Sequence, residues 1–133
     1  HYGLGVAADA KRAALLYKAA AETGLDKAQY NLAKAYRDGD GVAQDHALSV
    51  KWFHRAAEQG YAKAQSHLAT RYARGQGVQA DPVEAFKWMS LAARQGHMQA
   101  QENLKVLTAR LTPEQRAEAT RRVGSFVPIK EGR

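Results

Sequence analysis

Small and apolar residues recur three and four positions apart over most of the chain, a spacing that lines them along one side of an α-helix rather than one face of a strand. Ala13, Leu16 and Ala20 form one such stripe, which returns as Ser49, Trp52 and Ala56 and again as Ala85, Trp88 and Ala92. A second kind of stripe carries Ala28, Leu32 and Tyr36, then Ala64, Leu68 and Tyr72. Corresponding residues are 36 apart, and in rows of 36 ten columns are identical three times over, among them Gly3, Gly39 and Gly75; Gly5, Gly41 and Gly77; Asp9, Asp45 and Asp81; Gly24, Gly60 and Gly96; Gln29, Gln65 and Gln101; and Leu32, Leu68 and Leu104. A fixed period of this length marks a tandem array of one supersecondary unit.

The columns describe two helices per unit. Asp9, Asp45 and Asp81 stand where an N-cap belongs, and Pro82 with Glu84 adds a first-turn proline and a capping box, so a helix is predicted to start at each Asp. It runs to Gly24, Gly60 and Gly96, read as left-handed stops. After a short turn a second helix opens near Asp26, Ala62 and Met98 and closes, in the first two rows, at Gly39 and Gly75. The Gly-x-Gly-Val links then turn the chain back, and the Val plugs the gap between helices.

The third row departs from the pattern. Lys105 replaces the Ala of Ala33 and Ala69, Thr108 replaces the Tyr of Tyr36 and Tyr72, and the double-glycine link becomes Leu111-Thr112-Pro113-Glu114-Gln115. Thr112 and Gln115 make a capping box for a last helix over about 112–124, whose Arg116, Glu118, Arg121 and Arg122 supply the polar outer face of an array end. The tail 125–133 carries an apolar Phe126-Val127-Pro128-Ile129 that either docks back onto the helices, the favoured reading, or meets a partner. At the other end Gly3 and Gly5 are link glycines, so His1-Tyr2 reads as the remnant of an earlier helix and the chain as part of a longer array. Leu15, Leu16 and Ala19 then lack a covering neighbour, and self-association through this uncapped end is expected. The fold class is all-α: an α/α superhelix of three 36-residue repeats (3–38, 39–74, 75–110) with a C-terminal capping helix, in one domain over 1–133.

Composition fits a helical array rather than a disordered chain. Only 23 of 133 residues are Leu, Ile, Val or Phe, but 27 are Ala, the best helix former, and two Trp and six Tyr supply bulk. The net charge of +7 is spread as +2, +2, +1 and +2 over blocks divided after residues 38, 74 and 110, which is what solubility alone would produce. With no Cys, disulfide staples, thiolate catalysis and cysteine-bound zinc are excluded. No run approaches the roughly 20 apolar residues of a membrane span, and the first residues have neither the charged nor the apolar region of a signal sequence.

The pattern Ala-Gln-x-x-Leu-Ala-x-x-Tyr-x-x-Gly-x-Gly-Val-x-x-Asp, followed by Trp-x-x-x-Ala-Ala-x-x-Gly as in Trp52 to Gly60, resembles the Sel1-like repeat family, relatives of the tetratricopeptide repeats. The resemblance spans residues 3 to about 110. It implies a right-handed solenoid of bacterial type that acts as an adaptor or scaffold for protein assemblies, without cofactor or metal, and often exported or periplasmic rather than cytoplasmic. By the same resemblance the concave groove is lined by the helix that carries Leu32, Leu68 and Leu104. Its groove positions here are Lys27, Tyr30, Lys34 and Arg37, then Lys63, Ser66, Thr70 and Arg74, then Gln99 and Glu102.

Charge sharpens that expectation. Lys27, Lys34 and Arg37 share one helix face and Lys63 and Arg74 continue it, so the first two repeats should present a positive surface with Tyr30 as an apolar contact, suited to an acidic segment of another protein. Gln99 and Glu102 interrupt the track, which argues against the alternative of an anionic-polymer binder for nucleic acid or acidic polysaccharide. His46, His54, His67 and His97 form no metal-ligand spacing and read as surface or satisfied histidines. Ser49, Ser66, Ser90 and Ser125 have no nucleophile motif around them, so an enzyme, including a peptidoglycan or β-lactam hydrolase, finds no catalytic set.

Overall fold

The structure is a computed structural model that describes residues 2–131, with side chains from residue 8 onward. Its elements are seven helices: α1 (Tyr2–Glu22), α2 (Asp26–Asp38), α3 (His46–Glu58), α4 (Ala62–Arg74), α5 (Pro82–Arg94), α6 (Met98–Arg110) and α7 (Pro113–Ser125), with no strand among the described residues. From α1 to α6 each helix packs on the next in chain order, whereas α7 packs on α5. This is a helical-repeat solenoid in which contacts are local and the core runs as a continuous seam.

The alanine columns allow the helices to approach. Ala21, Ala33, Ala56, Ala57, Ala64, Ala69, Ala85, Ala92 and Ala100 are fully buried, and Leu32, Phe53, Leu68 and Trp88 fill the space between them. Gln29 and Gln65 are just as buried, because each is satisfied. The Nε2 groups of Gln29, Gln65 and Gln101 donate to the carbonyls of Ala21, Ala57 and Ala93, each at 3.1 Å. Gln59 Nε2 in turn donates to Gly24 O and Gln29 Oε1, both at 2.9 Å, and Gln95 does the same one repeat on, to Gly60 O at 2.8 Å and Gln65 Oε1 at 2.9 Å. A glutamine ladder therefore stitches one helix pair to the next through groups whose desolvation would otherwise cost about 1–3 kcal/mol each.

The links are made by backbone contact. Gly39 and Gly75 close α2 and α4 in the left-handed region at φ 70° and 66°. At Gly41 and Gly77 a Cβ would stand 2.2 Å from the Ala10 carbonyl oxygen and 2.3 Å from that of His46, so each link lies directly on backbone of the helix before last, within α1 in one case and at the start of α3 in the other. The main departure from the sequence reading is in the first segment, where α1 runs from Tyr2 through Gly3, Gly5 and Asp9 without a link. Asp9 is therefore not an N-cap; its carboxylate lies 3.7 Å from Arg12 one turn on. His1 lies outside the described residues.

Leu16, placed by its spacing in the buried stripe but expected to lack a covering neighbour, is 66% exposed, while its counterparts Trp52 and Trp88 are 6% and 0% exposed. Two smaller expectations change. Asp81 caps α5 through Val83 N and Glu84 N at 3.1 Å, but no capping box forms, because the Asp81 amide already donates to Tyr72 O at 3.0 Å. Glu84 instead accepts from Trp88 Nε1 at 3.2 Å and Arg122 Nη1 at 2.6 Å. The box at Thr112 and Gln115 does form. Arg122, read as part of an outer face, turns inward to Glu84 as α7 packs on α5, and Met98 and Val106 of α6 stay 78% and 54% exposed.

The tail docks. Phe126 meets Trp88 edge-to-face at 5.6 Å, Ile129 N donates to Glu58 O at 2.8 Å, and Glu131 N donates to Gln59 Oε1 at 3.0 Å. The Glu131 carboxylate takes Arg55 Nη2 at 2.6 Å and Gln29 Nε2 at 3.1 Å, contacts that hold its pKa below the usual carboxylate range. Val127 and Ile129 themselves are 71% and 65% exposed, so the anchors are Phe126 and Glu131.

Candidate partner-binding surface

The positions expected to line a groove lie on α2, α4 and α6, and they divide by burial. Lys27, Lys63, Arg74, Gln99 and Glu102 are exposed, and Lys34, Arg37 and Thr70 are half-buried. Tyr30 and Ser66 are not open surface positions, at 8% and 6% exposure. Ser66 Oγ lies against Met89 Sδ at 3.8 Å, and Thr70 Oγ1 donates back to Ser66 O at 3.2 Å. Tyr30 packs edge-on to Tyr61 at 5.3 Å and His67 at 5.4 Å and tilts against Phe53 at 5.9 Å, so its ring is held by the core rather than offered as a flat contact.

Structure brings in two residues from outside the expected groove set, His67, which the sequence read as a surface or satisfied histidine, and Arg71. His67 stacks on Phe53 with ring centres 5.1 Å apart and planes 12° from parallel. Its Nδ1 is 3.0 Å from Arg37 Nη1 and its Nε2 is 3.3 Å from Tyr30 Oη. A guanidinium only donates, so Nδ1 accepts, and the ring hydrogen sits on Nε2 and points to the tyrosine oxygen. Burial and the surrounding charges of Arg37, Arg71, Lys34 and His97 push the His67 pKa down to about 4. His67 is thus a neutral spacer inside a cationic cluster, not a surface histidine.

Around it the cations are unevenly partnered. Arg37 places Nε and Nη2 on the two Asp38 oxygens at 2.9 and 3.0 Å, a fork that raises its own pKa and lowers that of Asp38. Lys34 Nζ stands 4.6 Å above the Tyr30 ring centre. Arg71 is 5% exposed, its Nε is buried without a hydrogen-bond partner, and no carboxylate pairs with it among the described residues. Burial, then the charges of Arg37 and Arg74, draw the Arg71 pKa below its ordinary value, while Asp38 pulls the other way. The charges acting on Arg71 are Arg37, Arg74 and Asp38, and those acting on His67 are Arg37, Arg71, Lys34 and His97, so cations of α2 and α4 gather around the His67 ring with Asp38 as the sole carboxylate among these groups. A spacing argument confined to one helix misses this set, because Arg71 lies one turn beyond His67 and its row counterpart is Ala35.

Of the other histidines, His97 Nδ1 accepts from Ala100 N at 3.1 Å and His54 lies 3.7 Å from Glu58 and edge-on to Trp88 at 5.6 Å, whereas His46, expected to be at the surface or satisfied, has its Nδ1 buried without a hydrogen-bond partner. Among the described residues no three His, Cys, Asp or Glu side chains converge as a metal site, and no helix is long and apolar enough to cross a membrane.

The seam of paired helices, the glycine links and the glutamine ladder define an α/α repeat protein built from a 36-residue unit. The model of the Sel1 repeat matches residues 1–25, 26–61 and 62–97, and the chain belongs to the Sel1 repeat family. Proteins of this repeat are generally non-catalytic scaffolds for protein–protein interaction. Among solved structures the chain is similar to a protective antigen of uropathogenic Escherichia coli with an SLR fold, at TM-score 0.85 and 32% identity over 87% of this chain and 25% of that one. It is also similar to a Sel1 repeat protein from Oxalobacter formigenes, at TM-score 0.70 and 35% identity over 72% of this chain and 40% of that one. The chain thus spans well under half the length of either. No curated protein matches it.

Proposed function

We propose that this chain is a non-catalytic interaction scaffold whose α2–α4–α6 face holds an acidic segment of a partner protein. The observation that supports this reading is the set of cations Lys34, Arg37, Arg71 and Arg74 on α2 and α4, which outnumber the carboxylates near them, Asp38 and Asp40. Lys27 and Lys63, both exposed, extend the positive face along α2 and α4. Such a face raises the local concentration of an acidic chain and steers its approach. Glu102 on α6, paired with Lys105 at 3.1 Å, ends the positive track, which favours a short protein segment over a long anionic polymer.

The test is a pull-down from a lysate of the source organism with the wild-type chain and a Lys27→Glu, Lys63→Glu, Arg74→Glu variant. These three side chains are exposed and hold no side-chain hydrogen bond or ion pair among the described residues, and circular dichroism checks that helicity is kept. A protein retained by the wild type and lost by the variant supports the reading. Equal retention by both moves the binding face elsewhere on the molecule.

A further inference from the structure

Arg71 is an anomaly of placement. A guanidinium carries five N–H donors, and Arg71, 5% exposed with its Nε buried and unpartnered, leaves one of them without an acceptor, a cost that a fold keeps only where something else offsets it. In the first repeat the same position is Ala35, so helix packing at this register does not require an arginine. Arg37 cannot relieve Arg71, being another cation, and Asp38 is already engaged by both forks of Arg37. Tyr30 Oη accepts from the His67 ring and keeps its own hydrogen free to donate. Lys34, Arg74, the Tyr30 hydroxyl and the orphan Arg71 are thus donors on α2 and α4 that lack an oxyanion.

We propose that Arg71, in the cluster it shares with Arg37, Arg74 and His67, is an anchoring site for one carboxylate side chain, the aspartate or glutamate of an acidic peptide segment. The proposal rests on the reading of this face as an acid-binding surface and adds the point at which a partner is gripped. A carboxylate there accepts from Arg71 in a desolvated setting, where a charged pair is stronger than on open surface, and compensates the excess of cations. Arg37 stays in place through Asp38 and His67 and acts as a positioning residue. His67 serves as a built-in reporter. The groups that bear on it are Tyr30, Lys34 and Arg37 from α2, Arg71 from α4 and His97 before α6, all neutral or positive, so an added negative charge raises its pKa from about 4.

The test uses hexaglutamate as the probe and hexaglutamine as its neutral control, with the full chain. Calorimetry measures affinity, and NMR follows the His67 ring through an acid titration with and without saturating peptide. Wild type is expected to bind hexaglutamate and not hexaglutamine, with the His67 pKa rising on binding. Arg71→Met, which keeps the stem and removes the charge, is expected to weaken binding at least about tenfold and to abolish the rise. Arg71→Ala, which installs the first repeat's own residue, should do the same, so a folding failure of one variant does not decide the result. Two outcomes overturn the proposal differently. If both Arg71 variants bind like wild type while Lys27→Glu, Lys63→Glu, Arg74→Glu loses the peptide, the basic face stands and the Arg71 anchor falls. If wild type binds no hexaglutamate, the anchor and the acid-binding face both fall.

Discussion

At the scale of single residues the chemistry concentrates on the ring of His67. Its stacking on Phe53 and its bond from Arg37 require the neutral form, whereas in the unfolded chain the same imidazole takes up a proton near its ordinary pKa of 6.5. The folded pKa is depressed, so between pH 6.5 and about 4 the unfolded state binds the extra proton. Stability present above that window is lost as pH falls through it, by up to about 3 kcal/mol if the whole difference is realised. Urea unfolding at pH 7 and pH 4.5 measures this loss, and His67→Gln, which cannot titrate, should show a clearly smaller loss over the same interval. An equal loss in both proteins would assign the acid sensitivity to carboxylates such as Glu131 and Asp38, whose pKa values are lowered.

Among the elements, the tail is the least regular and still carries defined contacts. It leaves α7 at Phe126, crosses the ends of α5 and α3 and finishes with Glu131 between Arg55 and Gln29, so a segment with no secondary structure joins four helices. Most of its stabilisation comes from Phe126, because Trp88 is fully buried beneath it, while the partly exposed Arg55–Glu131 pair adds about 0.5 kcal/mol. Phe126→Ala should therefore cost about 1–3 kcal/mol and shift tryptophan emission to the red as Trp88 gains water. Thermal unfolding followed by fluorescence reads both effects, and Glu131→Gln should leave the emission unchanged.

Over the whole molecule, the two ends each leave apolar side chains exposed. Toward the C-terminus α7 and the tail pack back on α5, α3 and α2 while α6 leaves Met98 and Val106 exposed, and at the other end α1 presents Leu15 and Leu16 at 68% and 66% exposure beside Tyr17 at 36%. In a solenoid each repeat contacts only its neighbours, so an open terminal face is a ready association surface. Sedimentation at several concentrations should show a mass that grows with concentration for the wild type and stays monomeric for Leu16→Lys. A monomer in both would show that the strip is tolerated in water.

Much of this was legible in the residues themselves. The period of 36, the helix stops at Gly24, Gly60 and Gly96, the starts at Asp45, Asp81 and Thr112 and the burial of Trp52 and Trp88 all follow from helical spacing, capping chemistry and the freedom of glycine, which act within a few residues of chain. The double-glycine pattern misled at Gly3 and Gly5, which lie within α1, because the turn is a tertiary feature that rests on backbone 31 residues earlier, Gly41 on Ala10 and Gly77 on His46. The capping box at Asp81 failed for a related reason, a distant carbonyl having taken the amide first. Local rules thus determined which segments are helical and where they stop. Tertiary packing alone decided that Gln59 reaches Gln29, that Tyr30 is buried and that Arg71 joins Arg37 and His67, because these contacts join different helices, where no periodicity along the chain records them.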